Sequence, residues 1–127
     1  MAGSGDLLRG LRILVVEDNF LAAELLRDFL EGNGATVVGP TGRIDQALTF
    51  AANEAIDGAL LDINLNGARC FPIAEALRAR GVPFMFLTGY DDGAVVPAEL
   101  RPARLLGKPI SEEALIAAVC EQFCPVP

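Results

Sequence analysis

The feature that most constrains this chain is an alternation of short apolar runs with longer amphipathic stretches. "RILVVED" (12–18) is apolar and partly β-branched, and it reads as a strand buried on both faces. "NFLAAELLRDFLEGNG" (19–34) follows, with Leu21, Leu25, Phe29 and their neighbours at helical spacing. Asp18 or Asn19 suits its start, and Gly32 or Gly34 its end. "ATVVGP" (35–40) reads as a second strand, stopped by Gly39 and Pro40. "RIDQALTFAANEA" (43–55) carries Ile44, Ala47, Leu48 and Ala51 on one helical stripe. "DGALLDI" (57–63) is a third strand. "FPIAEALRARG" (71–81) is a helix with Pro72 in its first turn and Gly81 at its end. "PFMFLTGY" (83–90) and "ARLLGKP" (103–109) are the fourth and fifth strands. "SEEALIAAVCEQF" (111–123) is a last helix, with Ser111 as cap and Glu112 and Glu113 at the positive end of its dipole. Between strands four and five, "DDGAVVPAELRP" (91–102) holds Gly93 and Pro97, so only a short or irregular fourth helix is expected there, in a mobile segment.

Strands alternating with helices imply a parallel sheet with right-handed crossovers and helices on both faces. The expected fold class is α/β: a doubly wound, five-stranded parallel sheet with flavodoxin-like strand order 2-1-3-4-5. The chain's 127 residues fit one domain. The expected division is a flexible lead-in at 1–10, a folded domain at 11–124 and a tail at 125–127.

Several function classes fall away on composition. A net charge of −7 argues against a nucleic-acid surface, which needs clustered basic residues. No apolar run reaches the ~18 residues of a membrane span, and the first ten residues lack the pattern of a signal peptide. The absence of histidine excludes Ser-His-Asp and Cys-His catalytic pairs within the chain. Zinc is disfavoured as well, because Cys70, Cys120 and Cys124 are the only cysteines. An odd number of cysteines without a secretion signal suggests reduced thiols and a cytoplasmic protein, with the cysteines acting as small buried apolar residues.

In an open α/β sheet, ligands bind outside the carboxyl ends of the strands. Strand one ends in Glu17 and Asp18, strand three in Asp62, strand four in Thr88 and strand five in Lys108, the only lysine of the chain. Strand two ends without a side chain of this kind. Any one of these residues has a structural explanation, as a cap or a turn; their joint placement does not. Three close carboxylates repel unless a cation sits among them. Oxygen ligands without His or Cys point to Mg²⁺, which uses one or two carboxylates and completes its shell with water and phosphate oxygens. A compact ammonium such as Lys108 suits a phosphate oxygen in a crowded pocket better than a guanidinium fork. Pro109 biases Lys108 toward extended backbone, aiming it into the site. A carboxylate can attack phosphorus to give an acyl phosphate, which needs positioning and charge neutralisation rather than further covalent chemistry. On this reading Asp62, on the middle strand, is the nucleophile, and Glu17 and Asp18 hold the metal. Thr88 and Lys108 neutralise the transferred group.

This constellation resembles the receiver domain of two-component response regulators over residues 11–124. The resemblance implies Mg²⁺-dependent phosphorylation of Asp62 from a phosphohistidine on a sensor histidine kinase, and a shift of the face formed by the fourth helix, fifth strand and fifth helix. It also implies that Asp18 and Asp62 bind Mg²⁺ together with the backbone carbonyl of Asn64, and that Glu17 acts mainly through a metal-bound water. A narrower similarity is to the FAT GUY subgroup, through "PFMFLTGY", "GKP" and "DINLNG". It implies a single-domain regulator paired with an HWE or HisKA2-type kinase in alphaproteobacterial stress signalling.

Receivers usually carry an aromatic switch residue three positions before the lysine; here that position is Leu105. Tyr90, two residues after Thr88, is the candidate to take over part of the switch or to shield the acyl phosphate. Movement in 91–102 is a second candidate relay. Only "CPVP" follows the last helix, so the expectation is a stand-alone receiver that is not an enzyme. It would act by contacting a downstream protein or phosphotransfer partner, or by draining phosphoryl groups from a kinase. Two alternatives stand beside it: a receiver-like binding module that is never phosphorylated, and a small Mg²⁺-dependent phosphatase. The second lacks the Asp-x-Asp after strand one that such enzymes use.

Overall fold

A computed structural model describes residues 6–89 and 95–124. Strand β1 (Arg12–Val16) leads into helix α1 (Phe20–Gly32), strand β2 (Thr36–Thr41), helix α2 (Ile44–Asn53) and strand β3 (Gly58–Asp62). A small hairpin of β4 (Asn64–Leu65) and β5 (Ala68–Arg69) precedes helix α3 (Phe71–Ala79). Strand β6 (Phe84–Thr88), a 3-10 turn at Ala98–Leu100, strand β7 (Arg104–Gly107) and helix α4 (Glu112–Phe123) complete it. The five longer strands form one parallel sheet in the order β2-β1-β3-β6-β7. With the hairpin set aside, this is the expected 2-1-3-4-5 order.

Two cores flank the sheet because successive strand residues point to opposite faces. Leu14, Val16, Ala59, Leu61 and Phe86 pack with Ala47 and Ala51 of α2 and with Ile73, Ala74 and Leu77 of α3. Ile13, Val15, Leu60, Met85 and Leu87 pack with Leu26 and Leu30 of α1 and with Leu115, Ala118, Val119 and Phe123 of α4. The central strand β3 is buried at every residue, Asp62 included.

Three expectations change. The buried stripe of α1 is Ala23, Leu26 and Leu30; Leu21 and Leu25 face outward with Phe20. The helix is apolar around much of its circumference, so spacing alone fits two stripes. Strand β2 runs through Gly39 and Pro40 to Thr41, across a cis Gly39–Pro40 bond and a register irregularity opposite β1. As an edge strand, β2 tolerates a proline without an N–H, and Gly39 supplies a φ of 94°. The described part of the lead-in is not loose: Leu8 is fully buried and its N–H donates to the Asn33 carbonyl at 2.8 Å. Among the described residues between β6 and β7, the 3-10 turn is the short, irregular fourth helix expected there. The mobility expected of 91–102 falls partly on 91–94, outside the described residues.

The expected caps are present. Asn19 accepts from the Ala22 N–H, Ser111 accepts from the Ala114 N–H, and Gly81 has a φ of 73° after α3.

Candidate functional site at the strand ends

β1, β3 and β7 end at one edge of the sheet, and their terminal side chains meet. One oxygen from each of Glu17, Asp18 and Asp62 lies within 4.8 Å of the other two. Lys108 Nζ stands 2.9 Å from Glu17 Oε1 and 3.2 Å from Asp62 Oδ2. The lysine follows β7, with its backbone N–H donating to the Thr88 carbonyl at 2.8 Å and a cis bond to Pro109. That tie places Thr88, half-buried at the end of β6, beside the root of Lys108.

Burial and crowding set the charge state. Burial, and after it the Glu17 carboxylate, push Asp62 up to about 7, against the opposing pull of Lys108. Burial also acts to raise Glu17, but the Lys108 ammonium and the Asn19 N–H outweigh it and hold Glu17 below its ordinary value. That N–H reaches Glu17 Oε2 at 3.1 Å. Burial acts to lower Lys108, and its two carboxylate partners more than offset this. Glu17 Oε1 is buried and lies close to Nζ without the angles of a hydrogen bond; we read the contact as an ion pair that leaves acceptor capacity unused. One ammonium thus faces three carboxylates. A hard divalent cation fits this donor set, since it would satisfy oxygen lone pairs and remove the repulsion that raises Asp62.

The loop after β3 is shaped by Asn66 and Gly67, whose φ values of 53° and 88° suit the primed turn of a two-residue hairpin. It sets Asn64 two residues beyond Asp62, with the Asn64 Oδ1 accepting from the Gly67 N–H at 2.9 Å. The Asn-Gly pair in "NLNGAR" is the sequence signal for this hairpin. Leu105 lies in β7 and is exposed. Tyr90 lies outside the described residues.

Sequence reasoning missed three contributors. Asn19, expected as the cap of α1, also clamps Glu17. Strand two does end in a relevant residue: the Thr41 carbonyl accepts the Glu17 N–H at 2.9 Å. Beyond it, Gly42 packs against Asp18. The turn signal in "GPTGR" marked a loop but not what the loop would touch.

A family model of the response regulator receiver domain matches residues 13–120. The chain belongs to the response regulator receiver family. The receiver is similar to SdrG from Sphingomonas melonis Fr1, whose solution structure matches at 40% identity and a TM-score of 0.76, covering 86% of this chain and 92% of that one. A BeF3-activated conformation of SdrG matches at 38% identity and a TM-score of 0.72, covering 94% and 96%. Among full-length regulators, the DNA-binding response regulator MtrA of Mycobacterium tuberculosis is 35% identical over 113 residues, 85% of this chain and 48% of that protein. The phyllosphere-induced regulator PhyR of Methylorubrum extorquens is 30% identical over 113 residues, 87% and 42%. The receiver spans less than half the length of such curated relatives. It is a two-component signalling domain of the phosphorylation-dependent kind, and no helix among its described residues is long and apolar enough to cross a membrane.

Proposed function

We propose that this receiver accepts a phosphoryl group on Asp62 from a phosphohistidine of a sensor histidine kinase. The observation that carries the reading is the Asp62 carboxylate at the end of the central strand, 3.2 Å from the one lysine and beside two further carboxylates. An oxygen of Asp62 forms the new O–P bond as the N–P bond of the donor breaks, and the imidazole leaves and takes up a proton. Lys108 pairs with an oxygen of the transferred group, and Thr88 is placed to donate its hydroxyl to another. Asp18, Asp62 and the Asn64 carbonyl are the residues that would hold Mg²⁺, with Glu17 acting through its bound water. The ion would supply positive charge to the phosphoryl oxygens.

The docking site for the donor is the exposed face of α1. Phe20, Leu21 and Leu25 stand out from it as large exposed apolar residues. A groove of about 460 Å³ beside them, lined by Asn19, Ala22, Leu26, Pro109 and Ile110, opens toward Glu17 and Lys108. The likeness to SdrG, together with "PFMFLTGY" and "GKP", supports a place in the FAT GUY subgroup, with a kinase of HWE or HisKA2 type as donor. Output would be by contact with a downstream protein or phosphotransfer partner, without enzymatic turnover of a separate substrate. With Leu105 at the usual aromatic position, Tyr90 and the 91–102 segment are the proposed relays.

The test is intact mass after incubation with a small phosphodonor and Mg²⁺. A gain of one phosphoryl group that EDTA or Asp62→Ala abolishes is the expected result. No gain with either a small donor or a phosphorylated kinase would overturn the reading in favour of a binding module that is never phosphorylated.

A further inference from the structure

Gly42 sits in the turn between β2 and α2, one residue past Thr41. A Cβ built on it would lie 2.6 Å from Asp18 Cα, 2.8 Å from Asp18 Cβ and 3.3 Å from Asp18 N. Real Cβ atoms do not approach other atoms so closely, and the obstacle is the Asp18 main chain and the root of its side chain. The backbone of Gly42 is not in the left-handed region, so space alone requires glycine here.

Both sides of this contact are anchored through their neighbours. On one side the turn is anchored by the Thr41 carbonyl, which accepts the Glu17 N–H at 2.9 Å, and by buried Thr41 Oγ1, which accepts the Arg43 N–H at 3.1 Å. On the other side, Asp18 lies between Glu17, held by Asn19 and Lys108, and Asn19, which caps α1. A side chain at 42 would therefore strain the contact and shift Asp18 relative to Asp62, which is held in β3.

We propose that Gly42 is a positioning residue for the divalent-cation site: its missing side chain lets Asp18 sit where its carboxylate joins those of Glu17 and Asp62. The inference rests on the reading of these three carboxylates as a Mg²⁺ site. Mg²⁺ demands near-ideal octahedral geometry, whereas Ca²⁺ accepts longer and more variable arrangements. A shift of Asp18 should therefore cost Mg²⁺ more than Ca²⁺.

The experiment is a titration of wild type, Gly42→Ala and Gly32→Ala with Mg²⁺ and with Ca²⁺, following backbone amide chemical shifts. Gly32 ends α1 and has nothing within 4 Å of a built Cβ, so its variant is the control. For Gly42→Ala, Mg²⁺ affinity is expected to fall by about 10- to 100-fold, the range seen when groups supporting metal ligands are altered. Ca²⁺ affinity should fall several-fold less, and phosphorylation by a small donor should recover at raised Mg²⁺. Unchanged Mg²⁺ affinity, or an equal loss for both ions, would overturn the proposal. Absence of Mg²⁺ binding in the wild type would instead overturn the metal-site reading beneath it. If Gly42→Ala does not fold, Thr41→Val carries the test: it removes the acceptor for the Arg43 N–H and keeps the Thr41 carbonyl. Its Mg²⁺ affinity should fall by a smaller factor, and no change would overturn the proposal.

Discussion

Asp62 is held in conflict: its own burial and the neighbouring Glu17 favour the protonated acid, while Lys108 favours the carboxylate. The net effect raises it from 3.8 to about 7. An acid raised in the folded state lends stability that is complete below its unfolded value and is lost as the pH rises through its folded value. In EDTA, this group should therefore destabilise the receiver progressively from about pH 4 to pH 7. Asp62→Asn should remove that slope and gain of order 4 kcal/mol at pH 8, the size of the shift at about 1.4 kcal/mol per unit. Denaturant unfolding of both proteins at pH 5 and pH 8 checks this, and a wild type equally stable relative to the variant at both values would count against it. Mg²⁺ at pH 8 should narrow the difference, since a cation supports the ionised form. At this scale the sequence named the groups that the fold brings together at the strand ends. Which carboxylate is raised and which lowered depended on burial, on the Lys108 ammonium and on the Asn19 N–H at 3.1 Å from Glu17, all set by how the chain folds around the pair.

The elements were legible where a residue type enforces a backbone state. Asn19 and Ser111 cap helices, and Asn66-Gly67 forms a hairpin turn, because few other residues satisfy those geometries. They were less legible where apolarity alone had to choose a face. In α1, Leu21 and Leu25 are as apolar as Leu26 and Leu30, and only the docking of the helix on β1 decides which pair is buried. A similar dependence appears at Gly58, the first residue of β3. A Cβ there would lie 2.4 Å from the Phe123 ring at the end of α4. Because the ring is itself buried, Gly58→Ala should overpack this junction and cost about 1–3 kcal/mol. Chemical denaturation checks the value. Pairing it with Phe123→Leu should recover part of the loss, as expected for residues in direct contact.

Across the whole molecule, the parallel sheet gathers residues that lie far apart in sequence and leaves one apolar helix face uncovered beside them. If the α1 face receives the phosphodonor protein, Leu21→Asp together with Leu25→Asp should slow transfer from a phosphorylated kinase by tenfold or more, since two charges would be forced into the apolar centre of the contact, where a few residues carry most of the binding energy. Phosphorylation by a small donor should be nearly unchanged, because Lys108 and the carboxylates are intact. Equal slowing with both donors would place the fault in the site itself. The same pair of rate measurements separates surface from chemistry for any other variant of α1.

The sequence by itself determined the alternation of strands and helices, hence the parallel sheet, and the identity of the residues at its carboxyl edge. Those features follow from local periodicity, caps and turn residues, which act within a few positions along the chain. Only the tertiary structure decided that β2 continues to Thr41, that Gly42 abuts Asp18, that Leu8 enters the core and that Leu21 and Leu25 stay outside. Each of these depends on which surfaces meet after the helices dock. A one-residue difference in facing costs nothing in the isolated segment and everything in the packed one.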